Sequence, residues 1–364
     1  MIVKSHLQDF LHIPSGRGHR GPAARVGIGI ALPLLAVVLL GRLDLCVHVI
    51  FGSLTGVFGR ADAPRLRFQH LAIAGALMSG SVIAGAASAS AGAASASAGL
   101  GPWAVTFAAV VVAAVLSVVS DRLQLRPAGP FFYLYAFTTV AGVPGQGRLG
   151  EAALAAVASA ALVVVLGFLL ATPPRSAPDG MPAPPLQPVA WPEALARASR
   201  YAVAVGLAGA AATASGLGHY HWAILAATAP IAAADLAGAA NRVVHSVIGT
   251  FAGVALTGLL LLIDWSPLGL ALLLAALQFA NELYAVRHYS LALVFLTPVA
   301  LLMTSFVVTT PAHELIGDRV VETGIGAALA LLLVSATSGM RGRHRARGWA
   351  MAHTSRRESA VTSV

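Results

Sequence analysis

Cysteine is almost absent. Cys46 is the one cysteine in 364 residues, so the chain offers no internal disulfide and no cysteine cluster with metal-ligand spacing. Charge is scarce as well: Asp, Glu, Lys and Arg together make up 10% of the chain, against roughly 25% in soluble domains. The sequence also lacks a Gly-rich phosphate loop, an H-E-x-x-H helix and a G-x-S-x-G turn, which removes the common nucleotide, zinc-hydrolase and serine-hydrolase chemistries. These absences argue against an enzyme, and nothing calls for a cofactor or a metal.

Apolar residues are abundant. They make up 57% of the chain, and the mean hydropathy is +0.80, the composition of a polytopic membrane protein. A spanning helix needs about 20 apolar residues, and twelve candidate segments predict an all-α fold: 26–41, 43–59, 70–87, 103–120, 127–144, 151–171, 197–216, 220–237, 243–263, 267–286, 289–308 and 317–338. Residues 1–25 carry Lys4, Arg17, Arg20 and Arg25 but no short apolar core with a cleavage site, so no removable signal peptide is expected there. All basic residues except Arg42, Arg148 and Arg319 fall on one side of this arrangement. The positive-inside rule makes that side, with both termini, cytoplasmic. The net charge of +9 is therefore spent on topology and on anionic lipid heads, and no nucleic-acid partner is expected.

The chain also reads as two copies of one unit. A shift of 175 residues lays Arg25 on Arg200, Gly41 on Gly216, Ser53 on Thr228, Arg67 on Arg242 and His70 on His245. A shift of 171 lays Arg148 and Glu151 on Arg319 and Glu322. An even number of spans per half returns the chain to its starting side, so the prediction is two parallel six-helix repeats, 26–171 and 197–338. Between them, 172–196 is a proline-rich linker. Residues 1–25 form an N-terminal cytoplasmic segment, and 339–364 a basic cytoplasmic tail.

Irregular backbone at membrane depth survives only where protein or a wet cavity surrounds it. Pro230 with Thr228, and Thr297 with Pro298, fall near the middle of the eighth and eleventh segments, while Ser53, Thr55, Thr138 and Thr139 sit at related depths in the first half. Two readings stand: ordinary proline kinks with re-paired carbonyls, or a central substrate path. Arg67 with His70 and Arg242 with His245 open helices at the positive end of the dipole, where a cation is locally unfavourable. They suggest an anion-attracting vestibule, and plain topology charges are the competing reading. Arg148/Glu151 and Arg319/Glu322 have i,i+3 spacing, which fits an ion pair or an outer gate latch. Glu282, inside the tenth segment, is a candidate proton carrier aided or opposed by His245 or His288, or else a partner of Arg287.

The second half, with Arg242, Gly249, Thr250 and Gly253, then "RHYSLALVFLTPVALL", then "RVVETGIGAALALLL", resembles the fusaric acid resistance family of integral membrane transporters. That family includes aromatic acid exporters and is distantly similar to plant malate channels. The resemblance covers about 197–338, and it implies export of small organic anions, typically aromatic carboxylates, from a bacterial cytoplasm across the inner membrane. Tyr133, Tyr135, Trp222 and Tyr289 could then stack on a ring. The chain departs from the family in His288 for Asn, Glu322 for Asp and the missing large domain between halves. An anion channel and a non-transporting scaffold are the competing expectations, and a homo-oligomer is compatible with each.

Overall fold

The computed structural model describes residues 20–60, 62–95, 101–142, 148–170, 188–216, 221–232, 236–306, 314 and 317–335. Most of the expected N-terminal segment and linker, and the whole basic tail, lie outside them. Among the described residues all regular structure is helical. The helices are α1 (Arg20–Leu39), α2 (Cys46–Ser53), α3 (Pro64–Ser95), α4 (Gly101–Arg122), α5 (Phe131–Gly142), α6 (Leu149–Leu169), α7 (Trp191–Ala214), α8 (His221–Thr228), α9 (Leu236–Leu260), α10 (Pro267–Tyr284), α11 (Tyr289–Leu302) and α12 (317–335).

Among the described residues six stretches are long and apolar enough to cross a membrane: Arg20–Leu39, Pro64–Ala91, Gly101–Arg122, Leu149–Leu169, Ala240–Leu260 and Pro267–Tyr284. The outward faces of these and of α12 remain apolar, with Phe107, Leu154, Phe168, Leu259 and Leu332 exposed, while Arg25, Arg67, Gln278, Glu282 and Glu322 are buried. This inverted distribution suits lipid as the solvent, because hydrocarbon accepts leucine and rejects an unpaired charge. The chain is a multi-pass membrane protein.

The expected segments are not uniform helices. α2 and α8 have 8 residues each, about 12 Å at 1.5 Å per residue, and α5 and α11 have 12 and 14. Three of the four continue into tighter 3₁₀ turns, Leu54–Val57, Pro230–Ala232 and Met303–Phe306. At α8 the cause is local: Pro230 has no N–H to donate, so the α-helical ladder stops at Thr228. At α11 the expected mid-helix break is absent; Pro298 lies inside a continuous helix, and the tightening comes after Leu302.

These short elements meet at the centre. α2 packs on α5 and on the Met303–Phe306 turn, and α5 packs on α8. Around them α3 lies against α5 and α6, α9 against α11, α1 against α10, and α4 against α7. Small residues permit the closest approaches. A Cβ on Gly52 would stand 2.4 Å from the Ala156 carbonyl, and one on Gly326 would stand 2.4 Å from that of Ala223. Gly41 and Gly216, just past the ends of α1 and α7, take positive φ of 69° and 71°, a conformation glycine adopts without steric cost.

Candidate functional site

A cavity of about 30 Å³ lies where α5, α8, α9, α11 and α12 converge. Its lining includes Tyr135, Thr250, Tyr289, Arg319 and Thr323. The Arg319 guanidinium is the centrepiece. Its Cζ sits 5.1 Å from the centre of the Trp222 ring, and Tyr135, Glu322 and Tyr289 are near enough to act on its charge. Its Nε is buried with no acceptor among the described residues. Glu322 is fully buried one turn further along α12. By spacing Arg319 reads as an ion-pair partner of Glu322 or an outer gate latch; the fold sets its side chain beside the cavity, because the first turn of α12 packs beside the short α8 that carries Trp222. Trp222, Tyr135 and Tyr289, expected ring partners, gather around it. Tyr133 does not: it is buried against Phe58, rings stacked at 5.5 Å.

The expected path hydroxyls divide into two sets. Thr138 donates to the Leu134 carbonyl at 2.7 Å and Thr228 to that of Leu225 at 2.7 Å, the back-bonding usual inside helices. Ser53, Thr55, Thr139 and Thr297 are also buried, yet their hydroxyls have no partner among the described residues. Buried polar atoms are normally hydrogen-bonded to protein or to ordered water, so these four hydroxyls, on α2, α5, α11 and the Leu54–Val57 turn, mark the buried polar positions along the expected path. Pro230 is buried at the start of its turn, and its predecessor Ala229 lines the cavity.

The twin Arg-x-x-His starts have different surroundings. Arg67 is buried and donates through Nε to the Gly59 carbonyl at 3.2 Å and through Nη2 to the Asp62 carbonyl at 2.9 Å. His70 Nδ1 meets the Asp62 carboxylate at 2.7 Å. This pair clamps the loop before α3 and is not an open vestibule. In the second half Arg242 is exposed, with Cζ 5.8 Å from the Tyr289 ring centre. His245 Nδ1 lies 2.6 Å from Ser290 Oγ and its ring 5.4 Å from that of His288. At the shift of 175 residues Ala237 stands opposite Asp62, so the carboxylate that meets His70 has no counterpart at that position.

Two expected ion pairs are replaced by tertiary ones. Glu151 is held by Arg42, which also grips Asp44 at 2.8 Å, while Arg148 is exposed at the start of α6. Hydrogen bonds to Asp44 and Glu151 raise the pKa of Arg42. Glu282, 1% exposed, pairs with Arg60 and not with Arg287. Gln278 Nε2 donates to its carboxylate at 3.1 Å, and Arg60 donates to its backbone carbonyl at 3.2 and 3.3 Å. Burial and the neighbouring Arg25 push Arg60 down to about 10, so it stays charged at neutral pH. Arg287 lies with Cζ 5.3 Å from the Tyr284 ring centre. Sequence reasoning treated Arg25, Arg42 and Arg60 as topology charges only; Arg25, matched to Arg200 in the repeat, carried the one available signal.

Residues 207–333 match the family described as fusaric acid resistance protein-like. An uncharacterized membrane protein of Bacillus subtilis (strain 168), YvaC, is 31% identical over 139 residues, 38% of this chain and 22% of the relative. The chain thus spans about a fifth of the length of that curated relative. No solved structure matches the chain. The matched stretch runs from within α7 through most of α12 and supplies Trp222, Thr250, Tyr289, Arg319 and Thr323, so the similarity to fusaric acid resistance-like proteins falls on the part of the chain that builds most of the cavity.

Proposed function

We propose that the chain is a transporter, not an enzyme, that exports small organic anions, aromatic carboxylates foremost, across a bacterial inner membrane with both termini in the cytoplasm. The observation that carries this reading is the Arg319 guanidinium set among Trp222, Tyr135 and Tyr289 beside a cavity. An arginine at membrane depth is costly unless something neutralises it. A carboxylate does so through charge-assisted hydrogen bonds, and aromatic walls accept a ring. Ser53, Thr55, Thr228, Thr297 and the Pro230 and Pro298 segments would line the route; Arg242 and His245 would meet the anion at the cytoplasmic side, with Arg67 and His70 shaping that entrance from within.

The twelve-span, parallel-repeat architecture belongs to the same proposal. It is supported by reciprocal packing: α1 on α10 answers α4 on α7, and α3 on α5 answers α9 on α11. The approach of Gly52 to Ala156 recurs, with the glycine on the opposite helix, as that of Gly326 to Ala223 and Ala227. A cavity of about 30 Å³ has room for one water and none for an organic acid. Transport therefore requires the halves or the short helices to move, which favours a carrier over an open channel. Glu282, engaged by Arg60, then acts in holding the halves together more than in carrying protons. Membrane lipids, and a second copy of the chain, are its expected associates.

Uptake of labelled benzoate into inside-out vesicles tests the reading. Saturable uptake is expected, at least tenfold lower for Arg319→Gln, since hydrogen bonds to charged groups contribute about 1.5–3 kcal/mol. Cyclohexanecarboxylate should compete less well than benzoate, and benzyl alcohol not at all. No uptake of any carboxylate above empty-vector vesicles would leave the scaffold reading in its place.

A further inference from the structure

A second basic site lies at the packing surface of α1 and α10, apart from the cavity. Arg25 projects from the second turn of α1 and is 2% exposed, and both its Nε and its Nη2 are buried without an acceptor among the described residues. Arg67, 1% exposed, acts on it electrostatically from α3, and Arg25 acts in turn on Arg60. Gly27 fits against Phe279 and the Ala275 carbonyl, which sets this part of α1 beside the last turns of α10, where Gln278 and Glu282 are buried. The acids of the cluster are already engaged: Glu282 by Arg60, and Asp62 by His70 and, through its carbonyl, by Arg67. Among the described residues three guanidinium groups face these two carboxylates, and Arg25 is the one whose Nε and Nη2 have no acceptor.

Nε and Nη2 form one edge of a guanidinium, the edge that grips two oxygens of a carboxylate or phosphate side by side. A buried cation with that edge vacant is costly to the fold. We propose that the α1–α3–α10 junction is an oxyanion site in which the Arg25 Nε/Nη2 edge holds the paired oxygens of a carboxylate or phosphate, supplied by a soluble anion or by an anionic lipid headgroup. The anion brings the cluster to neutrality and ties the first half of the chain to the second across α1 and α10. The site stands independently of transport through the cavity.

The test uses the full-length protein, purified and delipidated, with thermal unfolding followed in two titrations. One adds sodium phosphate at constant ionic strength; the other adds phosphatidylglycerol against a phosphatidylcholine control. A saturable rise in Tm is expected in at least one titration. Phosphate identifies a soluble ligand, and phosphatidylglycerol alone identifies a headgroup. Arg25→Gln should abolish the rise and Arg25→Lys, which keeps the charge but loses the edge, should weaken it. Without added anion, Arg25→Gln should melt no lower than the parent, because a stranded charge has been removed. If Arg25→Gln cannot be purified, retained phosphatidylglycerol counted by native mass spectrometry on Arg25→Lys, together with its phosphate titration, takes its place, and values equal to the parent in both overturn the site. The proposal also fails if neither titration shifts the parent, or if Arg25→Gln responds like the parent.

Discussion

The ion pair between Arg60 and Glu282 joins the loop after the Leu54–Val57 turn to α10, and its strength follows from its burial. The side chains are 17% and 1% exposed. Removing one partner of a buried pair costs about 3–5 kcal/mol, because the other charge is stranded. Arg60→Gln should reach that range, since the Glu282 carboxylate would keep only the Gln278 amide at 3.1 Å and the Asn281 amide at 3.5 Å. Glu282→Gln should cost less, about 2–3 kcal/mol, because Arg60 is the wetter partner and retains its two bonds to the Glu282 carbonyl. The apolar double variant Arg60→Met/Glu282→Leu strands nothing and should lie within about 1 kcal/mol of the parent. The Arg60→Met and Glu282→Leu singles strand the same charges, so a cycle of these with their double variant, by reversible unfolding in mixed micelles followed by helicity, should give a coupling of at least about 4 kcal/mol, the summed single losses less that of the double. Single effects that simply add, with coupling under about 0.5 kcal/mol, would refute the reasoning.

Further outcomes follow from the packing and the charges. Gly52→Ala places a methyl 2.4 Å from the Ala156 carbonyl and should destabilise by about 1–3 kcal/mol through overpacking; Gly326→Ala should do the same at α8, whereas Gly80→Ala, which meets nothing within 4 Å, should not, all three read as melting temperatures. Arg42→Gln should leave the melting temperature as it is, since Arg42 and Glu151 are 41% and 39% exposed and such pairs contribute little. With Cys46→Ala as background, Arg148→Cys should react with an impermeant maleimide in intact spheroplasts and Arg65→Cys only after permeabilisation. Labelling of both from one side would overturn the topology.

Hydropathy located every helical segment, since burial in lipid and burial in protein both select apolar residues. It could not give their lengths: a window average counts leucines and alanines equally whether the backbone is an α-helix or, as at Leu54–Val57 and Met303–Phe306, a tighter turn. The 175-residue shift anticipated the matched glycine turns at Gly41 and Gly216 because helix ends are local events. Partners were another matter. Glu151 chose Arg42 over Arg148, and Glu282 chose Arg60 over Arg287, and both choices are made by helices that meet only after folding. Arg67 and Arg242 look equivalent by spacing, but Arg67 is buried on the Gly59 and Asp62 carbonyls while Arg242 is exposed, a difference that lies in the backbone before each helix and not in the motif. The aromatic surroundings of Arg319 are not legible in the sequence, since its direction depends on how α12 docks on α8.

The most direct measurement asks whether the buried hydroxyl positions of the proposed route are wet and carry the anion. In the Cys46→Ala background, Ser53→Cys and Thr297→Cys, both at buried positions whose hydroxyls lack protein partners, should react with a small, water-soluble thiol reagent added to inside-out vesicles, and benzoate should slow that reaction. A Val26→Cys control, fully buried in the apolar core, should stay inert. Thiols at positions 53 and 297 as unreactive as the one at 26, or reactive but indifferent to benzoate, would contradict the account.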